Sequence, residues 1–272
     1  MPCCFDALSA RLVEQAGFPL TFMSGFAVSA ARLASPDTGL ISYGEMVSQG
    51  RDVCASVSIP VIGDGDTGYG NPANVKRTVQ GYAQAGFAGI MIEDQLAPKR
   101  CGHTRGKQVV ERSEALERMQ AAVDARDDGA DILIMARTDA RATHGMEEAL
   151  WRMHLFADMG VDILFLEAPR NEQEMSAFCE RLPGPKLANM LEEGLSPVLP
   201  PARLEAIGYK IAAYPLTLLS SAVFAMREAL EKLKQGRIPS DRVDFETLRR
   251  IVGFPDYDKL LNQYTDRFRA EE

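Results

Sequence analysis

The chain has no apolar run near the ~20 residues that a membrane span needs, no run of like charges and no C-x-x-C pair. The first absence excludes a transmembrane helix. The second, with a net charge of -8, argues against nucleic acid or an anionic membrane as partner. The third goes with an odd total of five cysteines, Cys3, Cys4, Cys54, Cys101 and Cys179. It argues against a disulfide framework or structural zinc and fits a reducing cytoplasm. The start, M-P-C-C-F-D, lacks the basic residues and apolar core of a secretory signal. Histidine is scarce, with three residues, and of these His144 and His154 have no acidic or metal partner at a useful spacing. What is present is ordinary: 46% hydrophobic and 25% charged residues in 272, enough for a substantial core. The expectation is a cytoplasmic protein with a small-molecule partner.

Short apolar strands alternate with amphipathic segments along most of the chain. Strands are expected at Leu20–Met23, Ile59–Asp64, Gly89–Glu93, Asp131–Ala136, Asp162–Glu167, Lys186–Met190 and Lys210–Tyr214. Helices are expected at 6–17, 45–57, 72–85, 112–128, 146–159, 171–182, 201–207 and 216–235, with a polar connection over 26–44. Strict alternation means parallel strands with crossover helices, and runs such as I-L-I-M-A suit a sheet covered on both faces. Seven strands in a chain of this length point to an α/β fold, a (β/α)8 TIM barrel, with one strand unaccounted for. The rival, an open doubly wound sheet, would usually carry G-x-G-x-x-G after its first strand, and none is there. The expected organisation is a single barrel domain, 1–272, with the barrel over 1–237 and a helical tail over 238–272.

The most unusual stretch is E-D-Q-L-A-P-K-R-C-G-H-T-R-G-K-Q-V-V, from Glu93 to Val110. It leaves a strand through two acids and runs long without secondary structure, which in a compact domain usually marks function. Cys101 sits at its centre with Lys99 and Arg100 before it and His103 after it. Cations that close are expected to lower the thiol pKa, as in thiols that move protons. Elsewhere, polar residues collect at strand ends: Ser24, Asp64 with Asp66, Glu93 with Asp94, Arg137 with Asp139, Glu167, Asn189 and Thr217. In a barrel these ends converge on the face where active sites lie. Several carboxylates meeting there need a cation among them, and an all-oxygen set suits Mg2+ or Mn2+. Arg137 is suited to a bidentate contact with a substrate carboxylate. Against this stand blander readings: D-G-D-T-G as a simple turn, Glu93 and Glu167 as interior ion pairs, Cys101 as a passive small residue.

Taken together, the motifs F-D-A-L-S-A, M-S-G, S-P-D-T-G, G-D-G-D-T-G-Y-G-N, I-E-D-Q, K-R-C-G-H, A-R-T-D-A-R, F-L-E-A-P, L-A-N-M and Y-P-L-T span nearly the whole chain. In that order they resemble the isocitrate lyase / phosphoenolpyruvate mutase superfamily, in its 2-methylisocitrate lyase, dimethylmalate lyase and petal death protein branch. The resemblance implies a (β/α)8 barrel whose last helix swaps onto a neighbouring subunit, usually in a homotetramer. It implies Mg2+ held by Asp64 and, largely through waters, by Asp37, Asp66 and Glu93. It places Ser24, Gly25, Arg137 and Asn189 around the 2-oxo acid portion of a di- or tricarboxylate, with Gly102, His103 and Pro215 also against substrate. Glu167 is implied near the site, and Lys99, Cys101, Gly102 and His103 on a closing loop. The implied reaction is a Mg2+-dependent retro-aldol cleavage of a 2-hydroxy acid, with Cys101 protonating the departing carbanion. Phosphonomutase, oxaloacetate hydrolase and decarboxylase chemistry is the alternative within the superfamily, and intact K-R-C-G-H favours lyase chemistry. A catalytically silent dicarboxylate-binding barrel is the reading from another class. Two departures stand out. The chain begins at the end of the family's first strand: a start assigned too far downstream is the favoured reading and a shortened first strand the other, since a barrel missing a strand would expose two edges. Phe26 stands where 2-methylisocitrate lyases tend to have a small residue, which bears on tricarboxylate specificity.

Overall fold

The computed structural model describes residues 1–103 and 106–269, with side chains up to 265. It has eight parallel strands in sequential order: β1 (Cys3–Cys4), β2 (Thr21–Met23), β3 (Val61–Asp64), β4 (Gly89–Glu93), β5 (Leu133–Thr138), β6 (Ile163–Leu166), β7 (Lys186–Asn189) and β8 (Ile211–Ala213). The fold is a (β/α)8 barrel. The crossover helices are α1 (Ala7–Gln15), α2 (Gly25–Leu33), α3 (Tyr43–Ala55), α4 (Pro72–Ala85), α5 (Arg112–Asp127), α6 (Ala140–Thr143), α7 (Met146–Asp158), α8 (Glu172–Arg181) and α9 (Pro201–Ile207). They are followed by α10 (Thr217–Lys234), α11 (Phe245–Ile251) and α12 (Phe254–Arg269). The chain forms two compact units, Met1–Ser220 and the segment from Ser221 onward. In the second, Asp244 caps α11 by accepting from Thr247 N–H at 2.8 Å, and Gly253, at φ 92°, separates α11 from α12 where the sequence suggested one helix.

Helix ends follow local chemistry. Asn71 caps α4 and Asn74 returns the bond, Pro72 opens the first turn, and Gly86 in the left-handed region closes the last. Between them Val75, Thr78, Val79, Tyr82 and Ala85 form one buried stripe against the barrel. Two expectations are corrected. The eighth strand exists: β1 is only two residues long, yet Cys3 pairs with Phe22 and Cys4 with Met23. The other seam is closed by Cys3 N–H to Tyr214 C=O at 3.1 Å and Tyr214 N–H to Met1 C=O at 3.0 Å. The exposed edges expected of a seven-stranded barrel are therefore absent. The polar connection assigned to 26–44 contains α2, capped by Ser24 and ended by Ala34 at φ 50°. Glycine at its first position hides this helix in the sequence, and turn chemistry begins only at Ser35-Pro36.

The register decides what faces inward. Side chains alternate along a strand, so residues two apart share a face. Phe22, Ile62, Met91, Met135, Phe165 and Leu187 point into the barrel and pack as one buried cluster. Ile90, Ile92, Ile134, Ala136, Leu164 and Leu166 point outward under the helices in a second cluster. Two residues beyond each inward apolar residue stand Ser24, Asp64, Glu93, Arg137, Glu167 and Asn189. The barrel floor is thus apolar, and the layer above it at the strand C-termini is polar.

The seam can be tested directly. Cys3→Pro removes the N–H that Tyr214 C=O accepts, leaving a buried carbonyl unpaired. Urea denaturation is expected to show a loss of about 1–3 kcal/mol.

Candidate active site

The polar layer opens into a pocket that is partly open to solvent. Ser24, Asp37, Asp64, Arg137, Glu167 and Asn189 line it from the barrel side. Cys101, Gly102 and His103 reach it from the loop after β4, and Pro215 from the end of β8. Gly25, Asp66, Glu93 and Lys99 stand one contact behind. The residues expected at the site are therefore all gathered at one end of the barrel. Thr104 and Arg105 of the same loop lie outside the described residues.

The acidic side is built on backbone contacts. Asp64 Oδ2 accepts from Gly25 N–H at 3.1 Å and Oδ1 from Asp66 N–H at 3.0 Å. A Cβ on Gly25 would lie 2.5 Å from Asp64 Oδ2, so only glycine lets the start of α2 approach this carboxylate. Asp66, at φ 47°, turns the chain so that its carbonyl accepts from Glu93 N–H at 2.9 Å, tying the β3 and β4 tips together. Lys99 Nζ lies 2.5 Å from Asp37 Oδ1 and 2.7 Å from Asp66 Oδ1, with all three side chains nearly fully buried. Burial alone would lower the Lys99 ammonium, but Asp66, Asp64 and Asp37 outweigh it and hold its pKa well above the usual lysine value.

Arg137 joins the acidic side to the rest of the pocket. Its Nε lies 2.9 Å from Asp139 Oδ2 and 3.2 Å from Glu93 Oε2, and its Nη1 lies 3.4 Å from Glu167 Oε2. Burial would raise Glu167, yet Arg137 and the hydrogen bond from His103 prevail and hold it well below the ordinary carboxylate range. His103 Nε2 is 2.7 Å from Glu167 Oε1. Because Leu195 N–H donates to His103 Nδ1 at 3.0 Å, the imidazole proton belongs on Nε2, pointing at Glu167. Asn189 Nδ2 approaches Glu167 at 3.4 Å, while Asn189 Oδ1 is buried with no hydrogen-bond partner. A Cβ on Gly102 would fall 2.5 Å from Arg137 Nη2, so glycine is what lets the loop lie on the guanidinium.

The Cys101 expectation is corrected. Lys99 points away to Asp37 and Asp66, so its charge is not spent on the thiol. Burial pushes the Cys101 pKa above the ordinary thiol value, with Asp37 and Glu167 adding to the rise and Arg137 opposing it. The thiol keeps its proton at neutral pH. Lys107 is the residue that sequence reasoning missed: its ammonium is buried, 2.7 Å from Asp139 Oδ1, and donates to Gly102 C=O. Its only signal was a lysine between Gly106 and the apolar Val109-Val110.

Among the described residues, no three His, Cys, Asp or Glu side chains are arranged as they stand to hold a metal ion. The chemistry of the donors nevertheless fits a hard divalent cation. Asp37, Asp64, Asp66 and Glu93 offer oxygen alone, and Glu93 Oε1 is buried with no hydrogen-bond partner. Burial raises the pKa of Asp64, with Asp66 adding to it, and burial raises Glu93 despite Arg137. Both shifts are those of carboxylates short of positive charge.

Comparison with known proteins agrees with this geometry. The family model described as phosphoenolpyruvate phosphomutase matches residues 1–234. The chain belongs to that family. It is 41% identical over 260 residues to the 2,3-dimethylmalate lyase of Eubacterium barkeri, covering 96% of this chain and 88% of that one. It is 40% identical to a chloroplastic carboxyvinyl-carboxyphosphonate phosphorylmutase of Arabidopsis thaliana, covering 98% and 80%. Oxaloacetate acetylhydrolase bound to 3,3-difluorooxalacetate superposes with a TM-score of 0.93 at 35% identity, covering 97% and 91%. A phosphonopyruvate hydrolase solved with oxalate and Mg2+ has a TM-score of 0.85 at 30% identity, covering 97% and 93%. This is a family of lyases, mutases and hydrolases, and the chain is an enzyme of it. No described helix is long and apolar enough to cross a membrane.

The raised thiol pKa has a measurable sign. A higher pKa means a smaller thiolate fraction at pH 7–8 than a free cysteine carries. Alkylation of Cys101 by iodoacetamide, followed by peptide mapping, is expected to be slow there and to keep accelerating above pH 9. A plateau below pH 8 would contradict the geometry.

Proposed function

We propose that the chain is a Mg2+-dependent carbon–carbon lyase acting on a 2-methylisocitrate- or 2-alkylmalate-like 2-hydroxy acid. Its products are pyruvate, or a related 2-oxo acid, and a second carboxylate. The observation that carries this reading is Cys101: a thiol that burial keeps protonated, on a loop that meets the pocket beside Arg137 and Glu167. A group placed there can give up a proton to a carbanion and does not act first as a nucleophile.

Asp64, Asp66, Glu93 and Asp37 would hold the metal. When bound, it supplies Lewis-acid stabilisation of charge on the substrate oxygens. The rest follows from the chain's own groups. Arg137 presents a guanidinium fixed by Asp139 and Glu167, suited to a substrate carboxylate. Asn189 Oδ1, with no partner of its own, is an acceptor for the substrate hydroxyl. His103 and Glu167 form one hydrogen-bonded unit that keeps the imidazole oriented. As the bond from the hydroxyl-bearing carbon to its carboxylate-bearing neighbour breaks, the electron pair passes to that neighbour and the hydroxyl carbon becomes the 2-oxo carbon. Cys101 Sγ delivers its proton to the carbanion and is left a thiolate; the hydroxyl proton passes to water, and the thiolate takes a proton back from water once the products leave, so the cycle balances. Gly102 against Arg137 brings the loop that carries the thiol onto the barrel wall.

The alternative, an oxaloacetate hydrolase or phosphonomutase, is favoured by the superposition on oxaloacetate acetylhydrolase. It has less use for a protonated thiol over the pocket. The same reading makes the protein a cytoplasmic homotetramer of one barrel domain each, with the helical tail exchanged between subunits. Phe224, Ile238 and Phe245, at 68%, 78% and 74% exposure, are the kind of surface such an exchange covers.

The test is release of 2-oxo acid in a coupled assay with Mg2+, comparing 2-methylisocitrate, 2,3-dimethylmalate and oxaloacetate. Turnover of one of the first two is expected, abolished by chelator and restored by Mg2+. Cys101→Ser is expected to lower it by about 10²–10⁴-fold. Turnover of oxaloacetate alone, or full activity in the serine variant, would overturn the lyase assignment.

A further inference from the structure

The loop that carries Cys101 is closed at its base by a short antiparallel pairing of Gln95 with Val109. Leu96 N–H donates to Gln108 C=O and Val110 N–H to Asp94 C=O, each at 2.9 Å. Lys107 is the last residue before this pairing. Its side chain is turned inward and only 2% exposed. A buried ammonium is costly unless fully engaged. Lys107 Nζ has two partners from different parts of the fold: Gly102 C=O in its own loop, and Asp139 Oδ1 beyond the tip of β5 at 2.7 Å.

Asp139 is itself shared. It accepts from Arg137 Nε at 2.9 Å and from Arg137 Nη2 at 3.2 Å. Its backbone N–H donates to Asp94 Oδ1 at 2.9 Å, and Asp94 Oδ2 is held by Thr138 Oγ1 and Arg152 Nη1 at 2.6 and 3.1 Å. A continuous path therefore runs from the Gly102 carbonyl through the Lys107 ammonium and the Asp139 carboxylate to the Arg137 guanidinium. Gly102 lies directly against the far end of that path, since a Cβ there would meet Arg137 Nη2. Lys107 closes the circuit.

We propose that Lys107, acting through Asp139, is the positioning residue that locks the Cys101–Gly102–His103 segment onto Arg137. It touches neither the pocket nor the substrate carboxylate. It sets the distance between the thiol on the loop and the guanidinium on the barrel, which must hold together for a proton to be delivered to the right carbon. The turnover readout rests on the lyase reading, and the labelling readout does not. Removing Lys107 takes one positive charge from the buried cluster, but Asp139 keeps both hydrogen bonds from Arg137, so folding is expected to survive.

The experiment compares the native full chain with Lys107→Met, using Cys101 alkylation by iodoacetamide, read by peptide mapping, and steady-state release of 2-oxo acid. Thermal melting accompanies both. Cys101 is expected to label about tenfold faster in the variant as the segment opens, while Cys54 and Cys179 label at native rates. The kcat is expected to fall by about 100-fold, with a much smaller change in KM. Native labelling of Cys101 in the folded variant, or an unchanged kcat, would overturn the proposal. If Lys107→Met does not fold, Lys107→Arg carries the same readouts. It keeps the charge that Asp139 pairs with, but sets a planar fork where Gly102 C=O needs a compact donor. A native enzyme that turns over none of the acids would sink the lyase reading, and the labelling comparison would still decide the role of Lys107.

Discussion

One guanidinium holds this end of the barrel together. Arg137 rises from the inward face of β5 and meets Asp139, Glu93 and Glu167, three carboxylates that are almost completely buried. Each would cost several kcal/mol to bury alone, so the polar layer above the apolar floor depends on this contact. The effect is mutual. Burial would weaken the Arg137 charge, but the carboxylates around it raise its pKa well above the ordinary arginine value. The result is a neutralised wall facing an acidic one, with a pocket between.

The two walls differ in how completely they are neutralised. Around Glu167 the guanidinium and the His103 hydrogen bond suffice, and the carboxylate is ionised well below its ordinary range. Around Asp64 and Glu93 they do not, and burial pushes both carboxylates up. Lys99 spans Asp37 and Asp66 on that side and leaves Glu93 Oε1 unengaged. The acidic wall is therefore short of positive charge while the other is satisfied.

Cys101 shows how burial overrides sequence neighbours. Lys99 precedes it by two residues, yet the ammonium is committed to Asp37 and Asp66, and the thiol feels desolvation first. A thiol pushed upward in pKa is a poor nucleophile and a competent proton carrier. Lys107, further along the same loop, is tied to Asp139 instead. Two lysines in one loop thus serve opposite walls of the same pocket.

Much of this was legible in the residues alone. Short apolar strands in strict alternation with helical segments point to the barrel, and the polar residues at the strand ends point to the ring of groups at its mouth. Ser24, Asp64, Glu93, Arg137, Glu167 and Asn189 could be named because the strand ends of a barrel converge on one face, while the register separated them from neighbours such as Asp94. The helices at 72–85 and 201–207 were equally legible, because Asn71 with Pro72, Pro201 and the glycines at 86 and 208 mark their ends. Strand β1 was not, since two residues are too few to show a period, and only its pairing with β2 and the seam to Tyr214 reveals it. Helix α2 was masked by Gly25, which is there to let the chain approach Asp64. The protonation of Cys101 and the partners of Lys99 and Lys107 were decided by tertiary structure alone. A side chain's charge environment is set by what lies within a few ångströms in space, and for a long loop folded back on a barrel those neighbours are remote in sequence.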